Sequence, residues 1–229
     1  MTELVPAPQD APVSSAAVLV LRRLPGAKLE SPAVVRHHVT CAVVLPGRTA
    51  LEALAASLRG DERPEPGAIE VLGADLARMP RVPRPGTAPT LGWVPQDGGL
   101  LSNLNVWENI ALPVTYHWPR VARELPSLVD SIMERLGLDA RKICGRRPVD
   151  LSMLERRMVS FVRAVAMVPE LLVLDATLDD LEGEVFDRAK RMFEVFAHAL
   201  PFRHLVHLGT RHMDHAGFGE PAPIIVEVQ

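Results

Sequence analysis

Short apolar runs recur along this chain, and the stretches between them carry apolar residues at helical spacing. The runs at 17–21, 40–45, 69–72, 91–95, 171–175, 204–208 and 224–228 are rich in Val, Leu and Ile. Brief runs of this kind, bounded by turn residues, read as strands covered on both faces. Helical periodicity holds over 49–58, 125–136, 152–168 and 181–200. Strand–helix alternation predicts βαβ units around a mainly parallel sheet, an α/β domain. The Pro- and Arg-rich stretch 78–90 breaks both patterns and predicts a loop, and no internal repeat is visible. Two helix starts carry local signals. Ser152 with Glu155 three positions on forms a capping box, and Asp179 with Asp180 precedes Leu181 where a helix dipole favours negative charge.

Composition narrows the class. The chain has 229 residues, enough for one well-buried α/β domain, and aromatics make up only 4% of it, so the core is built from aliphatic side chains. A formal charge of -3 supplies no field for gathering nucleic acid. Cys41 and Cys144 fit no metal spacing and read as reduced thiols. No apolar run approaches the roughly 20 residues needed to cross a bilayer. The first residues hold Pro and Ala with Glu3 and Asp10 and lack a secretory signal, so 1–14 is expected to be a disordered leader and 15–229 a single domain.

The run from Leu91 to Pro113, Leu-Gly-Trp-Val-Pro-Gln96-Asp-Gly-Gly-Leu-Leu-Ser-Asn-Leu-Asn-Val-Trp-Glu-Asn-Ile-Ala-Leu-Pro, resembles the Q-loop of ABC-type ATPases. Its wording is closest to the subunits that power MCE/Mla-type lipid transporters. Further landmarks follow in family order. Gly47-Arg48-Thr49 stands where the family has the end of its phosphate loop, and Leu151-Ser152-Met153-Leu154-Glu155 stands at the signature helix. Asp175 ends the Walker B counterpart, Asp179 to Glu182 match the D-loop, and Thr210-Arg211-His212 falls at the histidine switch. The resemblance implies a P-loop-like ABC ATPase fold with an antiparallel β edge and a helical subdomain inserted over about 97–165. It implies Gly47, Arg48, Thr49, Ser152, Gln96, Asp175 and His212 as nucleotide-side residues, with Thr49, Gln96 and Asp175 toward Mg²⁺. It also implies Trp93, Leu100, Leu101, Leu104 and Trp107 as a docking set for a membrane permease. A second nucleotide-binding subunit or a second copy of the chain is a further implied partner; nucleic acid is not. The place implied is the cytoplasmic, inner face of the cell membrane. The chain stops soon after its last strand, so the further C-terminal helices usual in the family are expected to be absent.

Residue chemistry at these landmarks points away from turnover. A phosphate loop needs glycines that turn consecutive amides toward the phosphates, and a Lys that bridges the terminal ones. Val44 and Leu45 resist positive φ, Pro46 has no amide to donate, and Arg48 brings a planar fork in place of an ammonium. Ala176 follows Asp175 where relatives carry a Glu that activates water, so general-base help is missing. Met153 and Leu154 fill the place of two signature glycines. Ser152 is also readable as a plain helix cap, His212 as a surface histidine, and residues 40–48 as a buried strand turning into a helix. Three functions stay open: a degenerate pseudo-ATPase subunit on a permease, an active or half-site ATPase using ATP and Mg²⁺, and a free cytosolic interaction protein that kept the fold.

Overall fold

The computed structural model describes residues 17–24, 32–35, 40–80, 91–118, 123–212 and 224–228. Its strands are β1 (Leu19–Leu21), β2 (Ala33–Val35), β3 (Thr40–Val44), β4 (Ile69–Val71), β5 (Ala74–Asp75), β6 (Leu91–Val94), β7 (Leu171–Asp175), β8 (His204–Gly209) and β9 (Ile224–Glu227). Its helices are α1 (Arg48–Arg59), α2 (Val106–His117), α3 (Leu125–Arg135), α4 (Ala140–Ile143), α5 (Met153–Val165) and α6 (Gly183–Ala199). Five strands form a wholly parallel sheet in the order β6-β7-β8-β3-β9. The other four pair antiparallel as β2-β1-β4-β5. The α/β fold with an antiparallel sheet beside the parallel one is therefore what the sequence predicted.

Period-2 alternation assigns the two faces of the parallel sheet. Cys41, Val43, Leu171, Val173, Val206 and Leu208 face one core, where α1 lays down Leu51, Leu54 and Leu58 at helical spacing. Ala42, Leu172, Leu174 and Leu205 face the other, which α5 and α6 cover and to which α2 and α3 add Val106, Ile110, Val129 and Ile132. Each fully buried Leu on α1 contributes about 1.5–3 kcal/mol. This two-sided coverage holds the carboxyl ends of β3, β7 and β8 together at one edge.

Several expectations need correction. The last long helix begins at Gly183, capped by Glu182 without a side-chain bond, so Asp179 and Asp180 do not cap it. Both carboxylates are engaged elsewhere, as described below. The helix of 152–168 is shorter, with Ser152 as its cap and Ala166 closing it. Helices α2 and α4 fall within the expected helical subdomain and strands β2 and β5 within the expected antiparallel edge, though periodicity delimits none of the four. Asn105 and Glu108 form a full capping box that starts α2, and the helix runs on through Pro113. The leader 1–14 and most of the 78–90 loop lie outside the described residues. Cys41 and Cys144 are unpaired thiols, and burial pushes Cys41 up to about 12. Among the described residues, no helix is long and apolar enough to cross a membrane.

Candidate functional site

The site lies where β3, β7 and β6 end. Only Leu45, Pro46 and Gly47 connect β3 to α1. Ala42 and Val43 are fully buried within the sheet, paired with His207 and Leu208 of β8. The Leu45 amide donates to Gly209 O at 2.8 Å, so it is committed to the sheet. Gly47 has φ 166, which is extended backbone, and it caps α1 without a side-chain bond. Among the described residues with φ in the left-handed region, none falls between 42 and 49. The connection thus lacks the successive left-handed turns that aim several amides at one anion.

The side chains around this connection are satisfied by one another. Arg48 Nε donates to Glu52 Oε1 at 2.8 Å, and its Nη1 to Gln96 Oε1 at 3.4 Å. The Glu52 carboxylate holds the Arg48 guanidinium more basic than usual. Asp175 is only 15% exposed at its side chain and accepts from Arg59 Nη1 at 3.3 Å. Burial raises its pKa, against the pull of Arg59 and Arg48. Arg59 also holds Asp61 and sits over the Trp93 ring, 5.4 Å from its centroid. Thr49 is exposed. Of the three oxygens expected to face Mg²⁺, two therefore already accept from guanidinium groups, and no His/Cys/Asp/Glu cluster among the described residues forms a metal cage. As folded, the set does not fit a hydrated magnesium ion with a polyphosphate.

Behind it lies a second layer of polar contacts. Arg157, fully buried on α5, donates through Nε to Gln96 O at 2.5 Å and through Nη1 to Thr177 O at 2.9 Å. Its Nη1 and Nη2 clasp the two oxygens of Asp180 at 2.7 and 2.8 Å. That clasp holds the Asp180 carboxyl below its usual range, and the Gln96 side chain bonds the same carboxylate. Asp179 accepts from Thr210 N at 2.8 Å and from Thr210 Oγ1 at 3.1 Å. The segment after β7 is thereby tied to the turn after β6 and to the end of β8.

Ala176, where a water-activating Glu was sought, has φ 50 and is 2% exposed within the α1-side core. Ser152 and Glu155 close their capping box, Oγ accepting from Glu155 N at 3.2 Å and Glu155 Oε2 accepting from Ser152 N at 2.7 Å. His212 pairs through Nδ1 with Glu227 of β9 at 2.5 Å, and neighbouring Arg211 bonds the Leu181 carbonyl and stacks on Phe186. Gln96, Arg48 and Asp175 are thus drawn together, while Ser152 and His212 are engaged with other groups.

The docking set divides. Leu100 and Trp107 pack partly buried against the large core, and Leu104 is half-buried. Trp93 packs partly buried against the α1-side core beneath Arg59, and together with Leu101, Leu112, Tyr116, Arg163 and Met167 it borders an apolar groove of about 610 Å³ between β6, α2 and α5. Buried Asn109 braces this loop, its side chain accepting from Leu101 N and donating to the carbonyls of Leu101, Leu104 and Asn105. Sequence reasoning missed Arg59, Arg157, Asn109 and Arg163. Arg59 reads as a dipole-compensating residue of a last helical turn, and Arg157 as half of an exposed Arg pair. For Asn109 the capping box at Asn105 was the available signal, since it would have placed the residue on a helix.

Comparison with known proteins places this geometry. The model of the family described as ABC transporter matches residues 52–178, beginning just after Gly47-Arg48-Thr49. The Fe(3+) ions import ATP-binding protein FbpC 2 of Rhodococcus jostii is 30% identical over 157 residues, 67% of this chain and 42% of that protein. The molybdate/tungstate import ATP-binding protein WtpC of Archaeoglobus fulgidus is 33% identical over 125 residues, 55% of this chain and 48% of that protein. The chain thus spans less than half the length of these curated relatives. Among solved structures, the dimeric post-hydrolysis ATP-binding cassette MJ0796 bound to ADP and Pi superposes with a TM-score of 0.64 at 16% identity, covering 92% of this chain and 94% of that one. CbiO1 of Clostridium perfringens gives 0.59 at 15%, covering 84% and 78%. At these identities the two structures speak for the fold alone.

Proposed function

The chain belongs to the ABC transporter family, and from that premise we propose that it is a catalytically degenerate nucleotide-binding subunit that docks on a membrane permease. The observation that carries this reading is the guanidinium occupancy of the site: Arg59 on Asp175 and Arg48 on Gln96. A Mg²⁺–nucleotide would have to displace both, against a connection whose Leu45 amide is already bonded to Gly209. Losing two or three charge-assisted bonds of roughly 1.5–3 kcal/mol each weakens triphosphate binding by two or more orders of magnitude, at about tenfold per 1.4 kcal/mol. Ala176 supplies no proton acceptor for a hydrolytic water, so turnover loses a further factor of roughly 10²–10⁴.

In this reading the protein sits on the cytoplasmic face of the membrane, held by its permease, with a second nucleotide-binding subunit or a second copy beside it. The groove beside Trp93 and Leu101 is the contact surface. Its cargo is lipid, as in MCE/Mla-type systems, on the strength of the run from Gln96 to Pro113; the relatives named above carry iron and molybdate/tungstate in their names. Titration of the whole chain with a fluorescent ATP analogue and Mg²⁺ tests the central claim. Saturable binding is expected to be absent below about millimolar concentration, about -4 kcal/mol of affinity. Mg-ATP hydrolysis that disappears on Asp175→Asn would overturn it. Lipid co-purifying with the permease complex from solubilised membranes supports the cargo assignment, and oxyanion or ferric-ion uptake by that complex overturns it.

A further inference from the structure

Asp175 ends a strand of the parallel sheet with its carboxylate largely enclosed. Trp93 pairs with Val173 across β6 and β7, and Asp175 lies two residues beyond Val173. Period-2 alternation therefore puts the Trp93 and Asp175 side chains on the same face, the one α1 covers. The Asp175 side chain is 15% exposed. A carboxylate this enclosed stays ionised only beside a cation, and proteins supply either a metal or a side chain.

Arg59 supplies the side-chain alternative. Helical side chains lean toward the N-terminus of their helix, so an Arg in the last turn of α1 is carried back toward the end of β7. Its Nη1 donates to Asp175 Oδ2 at 3.3 Å and its Nε to Asp61 Oδ2 at 2.7 Å. Gly60, at φ 79, ends α1 in the left-handed conformation, and the Asp61 amide folds back onto Ala56 O, which sets Asp61 beside the guanidinium. The third hold is the Trp93 ring, whose centroid lies 5.4 Å from Arg59 Cζ. At 39% exposure the Arg59 side chain is screened by water, so one ion pair alone does not fix it. Two carboxylates and an aromatic face, brought from three segments, do. A guanidinium stays charged at every pH the fold meets, and unlike a metal it cannot dissociate.

We infer that Arg59 is a permanent stand-in for a divalent cation: it balances Asp175 from inside the fold and masks a cation site built on that carboxylate. The inference rests on the degenerate reading and adds which internal group takes the cation's place. Trp93 becomes a positioning residue that holds the stand-in, and the end of β7 keeps its charge balance without metal or nucleotide. With the guanidinium gone, the masked site is of a kind that Mg²⁺ or Mn²⁺ accepts, since such ions use one or two carboxylates and fill their remaining positions with water.

The test is free of nucleotide. The whole chain is melted with and without Mn²⁺ at fixed ionic strength, and bound ion is read from the loss of the free Mn²⁺ EPR signal. Wild type is expected to melt at one temperature throughout and to bind no ion that Asp175→Asn removes. Arg59→Met is expected to melt about 2–4 °C lower, the shift of one modest interaction in a domain of this size. Mn²⁺ at about millimolar concentration is expected to bind that variant and restore the loss. Adding Asp175→Asn to Arg59→Met is expected to abolish ion binding and to restore stability without it. Arg59→Lys, which keeps a cation in place, is expected to ignore Mn²⁺. Trp93→Leu keeps the charges and frees the fork, so its Mn²⁺ response is expected to be present but weaker than that of Arg59→Met. An ion on wild type that Asp175→Asn removes overturns the inference, as does a folded Arg59→Met protein with no Mn²⁺ response. If Arg59→Met does not fold, the response of Trp93→Leu decides: its presence supports the inference and its absence overturns it. The degenerate reading falls separately, since an ATP analogue that binds wild type while Mn²⁺ still leaves Asp175 alone sinks that reading and supports this inference.

Discussion

Removing Asp180 and removing Arg157 should have unequal effects on stability, although the two residues form one bidentate pair. The Arg157 side chain is 1% exposed and that of Asp180 is 49% exposed. Asp180→Ala leaves a fully buried guanidinium with only the carbonyls of Gln96 and Thr177 to satisfy it. Stranding a buried charge costs about 3–5 kcal/mol, and water reaching the half-open Asp180 side brings this to the low end. Arg157→Met takes the cation away, fills the stem volume with an apolar chain and returns the Asp180 carboxylate to solvent. What remains lost is a donor to two carbonyls, about 0.5–1.5 kcal/mol each. Urea denaturation followed by tryptophan fluorescence is the assay. The decisive variant is the double substitution, which is expected to be more stable than Asp180→Ala alone, because Arg157→Met removes the stranded charge. Additive losses in that cycle would refute the reasoning, since they would show that Arg157 is not stranded when Asp180 is missing.

Two further outcomes follow from the same edge of the sheet. His207 is buried and its pKa is pulled down to about 4 by burial, which the nearby Asp179 opposes and Arg157 reinforces. Its unfolded form binds a proton at higher pH than the folded form, so its contribution is complete above about pH 6.5 and is lost as pH falls toward the folded value. Stability should decline through that window by at most about 1.4 kcal/mol per pH unit, and His207→Gln should flatten the decline; an unchanged slope in that variant removes the assignment. Gly209→Ala would place a methyl 2.3 Å from Asp179 Oδ1 and 2.7 Å from His207 Cε1. A loss of roughly 1–3 kcal/mol is expected from the overpacking, with the denaturation midpoint as the readout, and an unchanged midpoint counts against it.

Much of the fold was legible because the parallel strands are covered on both faces and so appear as unbroken apolar runs. The run 171–175 and strand β7 coincide residue for residue. Ser152 with Glu155 marked a helix start correctly because a capping box is a purely local device. Helix α2 is not delimited by the sequence, because the run 91–113 reads as a Q-loop continuing into the expected helical subdomain. Its Asn105–Glu108 box was the same signal left unread. Asp179 and Asp180 misled for a physical reason: acids before a helix look like caps, and only the tertiary fold brings Thr210 and Arg157 to them. Of the candidate site, the residue types were visible and the pairing was not. Arg59 reaches Asp175 across 116 positions of sequence, which no local periodicity encodes.

The backbone at Ala176 bears on what an acidic residue could do there. A side chain with φ near 50 pointing into an aliphatic core gives a longer acidic group at that position no water to meet. Ala176→Glu would bury an ionised carboxyl among leucines and valines, and such a group neutralises itself by a shifted pKa. Ala176→Glu alone is therefore expected to bring no carboxylate to a water at this strand end. The strand end and the segment after it would have to be rebuilt together before an acid at this position could meet water.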